Sequence, residues 1–234
     1  GTEVATTIER NFFLSSEKYS RLRHSIRPFI SYDYIPEEDQ EDLPFFDSVD
    51  RIEETNAVTY GVDSFFNIYG ANGEYNRQYG YIRLEQSYDI RSEFSSEPLS
   101  PVTLKLGWRP LEKMSLAYKA EIPIENDDNT THGFAGSYYN SRGDRFGLDY
   151  RYNEDENIEQ INGVVKVRLH PKIIAALDID HSISEGETNE ATFSLTYLAQ
   201  CWSVQVETRY TPTEERIMLV FNLANIGAPI QLSF

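Results

Sequence analysis

The sequence holds one cysteine, two tryptophans and two methionines, and only 21 basic residues stand against 38 acidic ones in 234 positions. A single cysteine excludes an internal disulfide framework and a cysteine-built zinc site. A formal net charge of −17 leaves no broad basic surface for a phosphate backbone, so no nucleic-acid partner is expected. No apolar run approaches the roughly 18 residues of a transmembrane helix. No charged-then-apolar segment follows Gly1, so no signal peptide is expected in this chain. Aromatics, by contrast, are plentiful, with 16 Tyr and 13 Phe, and this argues against disorder.

One texture runs throughout: segments of roughly 9–13 residues alternate apolar with polar, as a two-faced strand does. Val102, Leu104, Leu106 and Trp108 alternate with Thr103, Lys105, Gly107 and Arg109. Phe146, Leu148, Tyr150 and Tyr152 oppose Arg145, Gly147, Asp149 and Arg151. Ile161, Val165, Val167 and Leu169 oppose Asn162, Lys166, Arg168 and His170. Ile217, Leu219, Phe221 and Leu223 close the series, in a last strand over about 215–225. Turn-type clusters separate the segments: Ala71-Asn72-Gly73, Pro110-Leu111-Glu112, Asn126-Asp127-Asp128-Asn129, Arg142-Gly143-Asp144, His170-Pro171-Lys172 and Thr211-Pro212-Thr213. Gly and Asn accept positive φ, Pro presets its own, and Asp bonds its own backbone. The expectation is an antiparallel meander of about 12–14 strands without helices. No linker interrupts it, so residues 1–234 are expected to form one β region.

Two architectures produce this alternation. A soluble sandwich buries the apolar face inward. A membrane barrel turns that face to lipid and keeps a polar lumen. Three features favour the barrel. Segments of about 10 residues match a tilted crossing. Tyrosines gather near segment ends, as at Tyr32, Tyr34, Tyr138 and Tyr139, where an aromatic girdle would lie. Connections 36–56 and 92–100 are long while the others are tight, the habit of outer-membrane barrels.

Candidates for chemistry are few. His24, His132, His170 and His181 have no metal-ligand spacing, and there is no G-x-S-x-G elbow or P-loop. Asp178, Asp180 and His181 suggest an acid–base pair for a barrel-borne hydrolase, but adjacent His181 falls on the other face of a regular strand. No catalytic residue, metal or cofactor is expected. A passive porin-like channel stays open as the alternative. The acidic stretch 36–56 could collect divalent cations, but it has no EF-hand spacing and a solvated loop is the preferred account. Pro44, Phe45 and Phe46 within it are expected to fold over the mouth of a barrel.

Specific residues go beyond pattern. Arg27-Pro28-Phe29-Ile30-Ser31-Tyr32-Asp33-Tyr34-Ile35-Pro36 leads into Gln40, Pro44, Phe46 and Asp47, then Asn56-Ala57-Val58-Thr59-Tyr60-Gly61-Val62. This resembles the C-terminal barrel region of the LptD family of lipopolysaccharide-assembly proteins, in its P-x-x-x-Y-x-Y-x-P strand end, Q-x-x-x-P-x-F-D loop and N-x-V-x-x-G-V strand start. Tyr197-Leu198-Ala199-Gln200-Cys201-Trp202 and the stretch Ile217 to Gly227 resemble strands near that family's C-terminus. The resemblance touches about residues 20–70 and 190–228, and where the family often has two adjacent cysteines this chain has one.

The resemblance implies an antiparallel transmembrane β-barrel in the outer membrane, the C-terminal portion of a large barrel whose N-terminal periplasmic domain is not in this sequence. It implies transport and insertion of lipopolysaccharide into the outer leaflet, not an enzyme. Implied partners are lipopolysaccharide, a plug lipoprotein inside the barrel, a periplasmic lipopolysaccharide bridge protein docking on the N-terminal domain, and outer-membrane lipid. Cys201 would form a disulfide to that domain. Ile217, Leu219, Phe221 and Leu223 would lie on one side of a lateral seam.

Overall fold

The computed structural model describes residues 1–36, 54–91, 98–124 and 130–223, together with the backbone of 230–233. Among these there is no helix. The strands are β1 (Thr2–Ala5), β2 (Ile8–Phe13), β3 (Tyr19–Ile35), β4 (Thr55–Gly70), β5 (Tyr75–Asp89), β6 (Val102–Trp108), β7 (Met114–Ile122), β8 (Thr131–Tyr139), β9 (Arg145–Asn153), β10 (Ile158–His170), β11 (Ile173–Ser182), β12 (Glu187–Leu198), β13 (Trp202–Thr211), β14 (Glu214–Leu223) and β15 (Ile230–Ser233). The acidic stretch with Gln40, Pro44, Phe45, Phe46 and Asp47, and the turn Asn126–Asn129, lie outside the described residues.

The chain divides into two compact units, one of residues 1–108 with 119–129, the other of 109–118 with 130–234. In the first, β3, β4, β5 and β6 pair in chain order, all antiparallel. Both β1 and β2 lie along β3, against Phe29–Tyr32 and Arg21–Ile26 respectively, as one strand interrupted at Thr6 and Thr7. In the second, β8 to β15 pair in chain order, again antiparallel. The start of β7 joins that unit through Tyr139 N–H to the Lys113 carbonyl at 3.0 Å and a 2.8 Å bond between the Ser115 and Ser137 hydroxyls.

Two details differ from the sequence reading. β14 is not the last strand, because β15 pairs with its Met218–Phe221 stretch. β3, β4 and β5 run 17, 16 and 15 residues, well beyond a crossing of about 10.

Cross-strand partners share a face, so the registers sort the side chains. Ile30 meets Tyr60, and Val62 meets Leu84, which meets Leu104. Phe146 meets Val165, which meets Leu177, which meets Phe193. These apolar faces are exposed: Ile30 at 51%, Leu169 at 65% and Ile217 at 54%. Of the buried residues, Ser25, Asp63, Ser182, Phe29, Tyr69 and Val220 lie on the polar face, and Ile68 and Ala120 on the apolar one. A protein inverted in this way is stable only where lipid is the outer solvent, the arrangement of a membrane β-barrel wall.

The tight turns follow their residues. Gly73 and Gly143 sit at φ 81° and 89°, where a side chain would be strained. The β8–β9 turn is closed by Asp144, which is buried. Its carboxylate accepts from the backbone N–H of Arg168 on β10 (2.7 Å), from Asn140 Nδ2 (2.6 Å) and from Arg142 Nη2 (2.5 Å). Those bonds, the Arg168 amide first, lower its pKa to about 2. A carboxylate with a depressed folded pKa stabilises above its unfolded value near 3.9 and loses that contribution as pH falls through the folded one. Asp144→Ala is therefore expected to lower, by several degrees, the temperature at which the folded band converts on a semi-native gel at pH 6. The gap to wild type should close as the gel samples are acidified from about pH 4 to about pH 2. An equal gap at both pH values would show that the turn does not depend on the ionised carboxylate.

Candidate functional site

The polar face of the first unit is held by alternating charges. Arg27 on β3 pairs with Glu3 on β1 and with Asp63 on β4 at 3.1 Å. Asp63 also faces Arg83 on β5 at 3.6 Å, and Arg83 bonds Glu85 at 2.7 Å. Glu85 pairs with Lys105 on β6 at 2.9 Å. This ladder crosses five strands and gives almost every charge a partner of opposite sign. Its centre is Asp63, among the most buried polar residues described. Beside it the guanidinium carbons of Arg27 and Arg83 lie 5.8 Å and 4.9 Å from the centre of the Phe29 ring. Nearer the other end of these strands, Arg21 and Arg23 lie 4.1 Å and 5.1 Å from the centre of the Tyr69 ring.

The motif residues that are described lie on both faces, Gly61 on this polar one and Tyr32 and Asn56 on the face that carries Ile30 and Tyr60. Phe29 pairs in register with Gly61, and its ring lies over that glycine. A Cβ on Gly61 would stand 2.5 Å from the Leu84 carbonyl oxygen and 2.8 Å from Phe29 Cζ. Tyr81 covers Gly107 on the neighbouring strand pair in the same manner. Asn56 accepts a hydrogen bond from Tyr32 Oη at 3.0 Å, and its carbonyl accepts from Ile90 N–H at 2.8 Å. Pro36 is exposed directly after β3. Phe29, Tyr32, Asn56 and Gly61 thus fix how β3, β4 and β5 pack. Gln40, Pro44, Phe46 and Asp47 fall outside the described residues.

The polar face of the second unit is different. Arg209 on β13 bonds Glu190 on β12 at 2.5 Å, and Gln205 donates to Glu207 at 2.7 Å. Asn189 donates to Asp180 at 3.1 Å. Asp178 and Asp180 share this face, while His181 pairs with Ile161 on the apolar one, where it bonds Thr188 at 3.2 Å. An acid–base pair is therefore not assembled there. The other histidines are engaged by aromatic or turn contacts. His24 stacks on Phe66 at 4.4 Å and shares a 2.7 Å bond with Ser64, and His132 stacks on Tyr152 at 4.8 Å. His170 Nδ1 accepts from Lys172 N–H at 3.3 Å.

Cys201 is exposed, with a free thiol, in the turn between β12 and β13. The turn closes by Ala199 N–H to the Trp202 carbonyl at 2.8 Å. Ile217, Leu219, Phe221 and Leu223 lie on the apolar face of β14, opposite Thr208, Val206, Val204 and Trp202. Leu219 and Phe221 stand where β15 pairs with the strand, and Ile217 and Leu223 lie beyond that pairing. An open concavity of about 450 Å³ adjoins this strand, with Leu177, Phe193 and Ile217 in its lining beside Tyr210 and Arg216.

Sequence reasoning missed the ladder as a unit. Its members were visible as polar alternates, but which acid meets which base depends on register. Glu3 and Arg27 are 24 positions apart and meet only because β1 folds along β3.

Compared with known families, residues 1–173 match the sequence profile described as LptD: LPS transport system D. The match contains the motif residues from Pro28 to Val62 and the middle hairpins, and it ends before Cys201 and β14. No curated protein sequence matches the chain.

Gly61→Ala places a methyl group inside the Leu84 carbonyl and the Phe29 ring, and is expected to destabilise the folded barrel by about 1–3 kcal/mol. Gly163→Ala meets nothing within 4 Å and should be silent. Heat-modifiable migration of the two variants beside wild type checks this, and equal behaviour of both would show that the ring-over-glycine contact carries no weight.

Proposed function

Since the chain belongs to the LptD family, whose role is lipopolysaccharide transport at the outer membrane, we propose that it is part of a translocon that inserts lipopolysaccharide into the outer leaflet. The observation that carries this reading is the match over residues 1–173, on a chain built as two-faced antiparallel strands. The physical task is to move an amphipathic lipid whose sugar head is large and whose tails avoid water. A polar face of ion pairs and hydroxyls carries the head. The apolar face keeps the strands in the bilayer, and no bond is broken.

The tails leave sideways, through a weakly paired seam on whose edge β14 lies. Among the described residues β15 pairs with Met218–Phe221 of that strand, so the reading places the seam along the rest of β14. The partners in this reading are lipopolysaccharide itself, a plug lipoprotein within the lumen, a periplasmic bridge protein that docks on an N-terminal domain, and the surrounding lipid. Cys201 would bond to that domain, its exposed thiol in an oxidising compartment being suited to it.

Depletion of the full-length protein should lower newly made lipopolysaccharide at the cell surface while it accumulates inside. Unchanged surface lipopolysaccharide would remove the translocon reading, and steady ion conductance of the reconstituted protein would then favour a porin. For Cys201, the oxidised full-length protein should change mobility on a non-reducing gel, and Cys201→Ser should abolish the change. A shift that survives the substitution would exclude this cysteine.

A further inference from the structure

The second unit has a sign reversal along its polar face. At the end that carries the β9–β10 and β11–β12 turns, acids prevail: Glu154, Asp155 and Glu156 in one turn, Glu185 in the other. At the opposite end, which also carries Cys201, Arg145 on β9 and Lys166 on β10 are direct register partners. Arg168 follows two residues on, on the same face. Like charges directly opposite one another destabilise a strand pair. A chain with 38 acids against 21 bases had ample means to avoid this.

No carboxylate among the described residues relieves the three side chains. Of the near acids, Asp144 is already saturated by the Arg168 amide, Asn140 and Arg142, and Asp178 on β11, diagonal to Lys166 across from Val164, makes no ion pair with it. Asp149, two residues beyond the nearest alternate on β9, faces Arg151 at 3.9 Å. In the first unit, Arg27, Arg83 and Lys105 each find a carboxylate. The three cations of the second unit are exposed and unmatched, with Cβ atoms of the paired two about 5 Å apart by strand geometry. That spacing suits one anion held between two or three cationic donors. Their face is opposite to Phe146, Val165, Val167 and Leu169. They therefore do not point at head groups of the surrounding bilayer.

We propose that Arg145, Lys166 and Arg168 form a phosphate site on the polar face that holds the phosphorylated sugar head of the transported lipid at the Cys201 end. The proposal rests on the lipopolysaccharide reading and gives that reading a place of contact. The like-charge pair costs stability in the empty protein and is neutralised when the phosphate binds.

The test uses the full-length protein with its partners in nanodiscs. The probes are bis-phosphorylated lipid A and the same lipid with both phosphates removed. The triple variant Arg145→Gln, Lys166→Gln, Arg168→Gln is expected to weaken binding of the phosphorylated lipid by about tenfold or more. Binding of the dephosphorylated lipid should not change, and the variant's folded band should be at least as heat-resistant as wild type. If the triple variant does not fold, Lys166→Gln alone should give a smaller loss for the phosphorylated lipid only, with Lys172→Gln in the adjacent turn as the silent control. Equal binding by wild type and variant overturns the proposal, as does an equal loss for both lipids. A loss that appears only in nanodiscs of anionic phospholipid assigns the site to the bilayer and also overturns it. Full restoration of surface lipopolysaccharide by the triple variant in depleted cells would sink this site alone. A failure of depletion itself to lower surface lipopolysaccharide would sink the reading beneath it.

Discussion

In hydrocarbon a backbone N–H has no water to bond, so a chain that crosses with strands must give every strand a neighbour on each side. The antiparallel meander follows from this. Each strand from β3 to β5 and from β9 to β14 has its neighbours in chain order, joined by connections that include turns of two to five residues. Where β1 ends early, β2 takes its place along β3, so that the edge is continued with only Thr6 and Thr7 between the two. Thr6 is itself held, by its N–H to the Pro28 carbonyl at 3.3 Å.

Lipid outside then dictates where the polar groups go. They cannot be scattered, because an unpaired charge facing hydrocarbon is costly. Most of them collect on one face, where crowding forces them to neutralise each other. The ladder from Glu3 through Arg27, Asp63, Arg83 and Glu85 to Lys105 is the outcome in the first unit. Phe29 fits into it because Gly61 leaves room for the ring, and Tyr81 fits over Gly107 for the same reason. In the second unit the same pressure acts, yet Arg145, Lys166 and Arg168 stay unmatched. A departure from the pairing seen along the ladder from Arg27 to Lys105 is where function is to be sought.

Much of this was legible in the chain. The period of two marked the strands, because successive Cβ atoms alternate across a pleat whatever lies beyond it. The turns at Gly73, Gly143, Pro171 and Pro212 were legible from the backbone preferences of those residues. The likeness to the LptD family stood on Pro28, Tyr32, Tyr34, Pro36, Gln40, Pro44, Phe46, Asp47, Asn56 and Gly61, and for Gly61 the structure gives a physical reason, since only a glycine leaves room for the Phe29 ring and the Leu84 carbonyl. β15 was not legible: Ile230–Ser233 is too short to show a period, and it becomes a strand only by pairing with β14. The lengths of β3, β4 and β5 were also not legible, since the ends are extended by pairing and not by pattern.

The sequence by itself determined that the chain is all-β, that each strand has one apolar and one polar face, and where most turns fall. These are local properties, set by side-chain alternation and by the φ preferences of Gly, Pro, Asn and Asp. Only the tertiary structure decided which charge meets which. Register is a long-range quantity, and a slip of one residue would turn every side chain to the opposite face. Asp63 is a shared partner of Arg27 and Arg83, and Arg145 stands across from Lys166, because three neighbouring strands settle into one register that no single strand encodes.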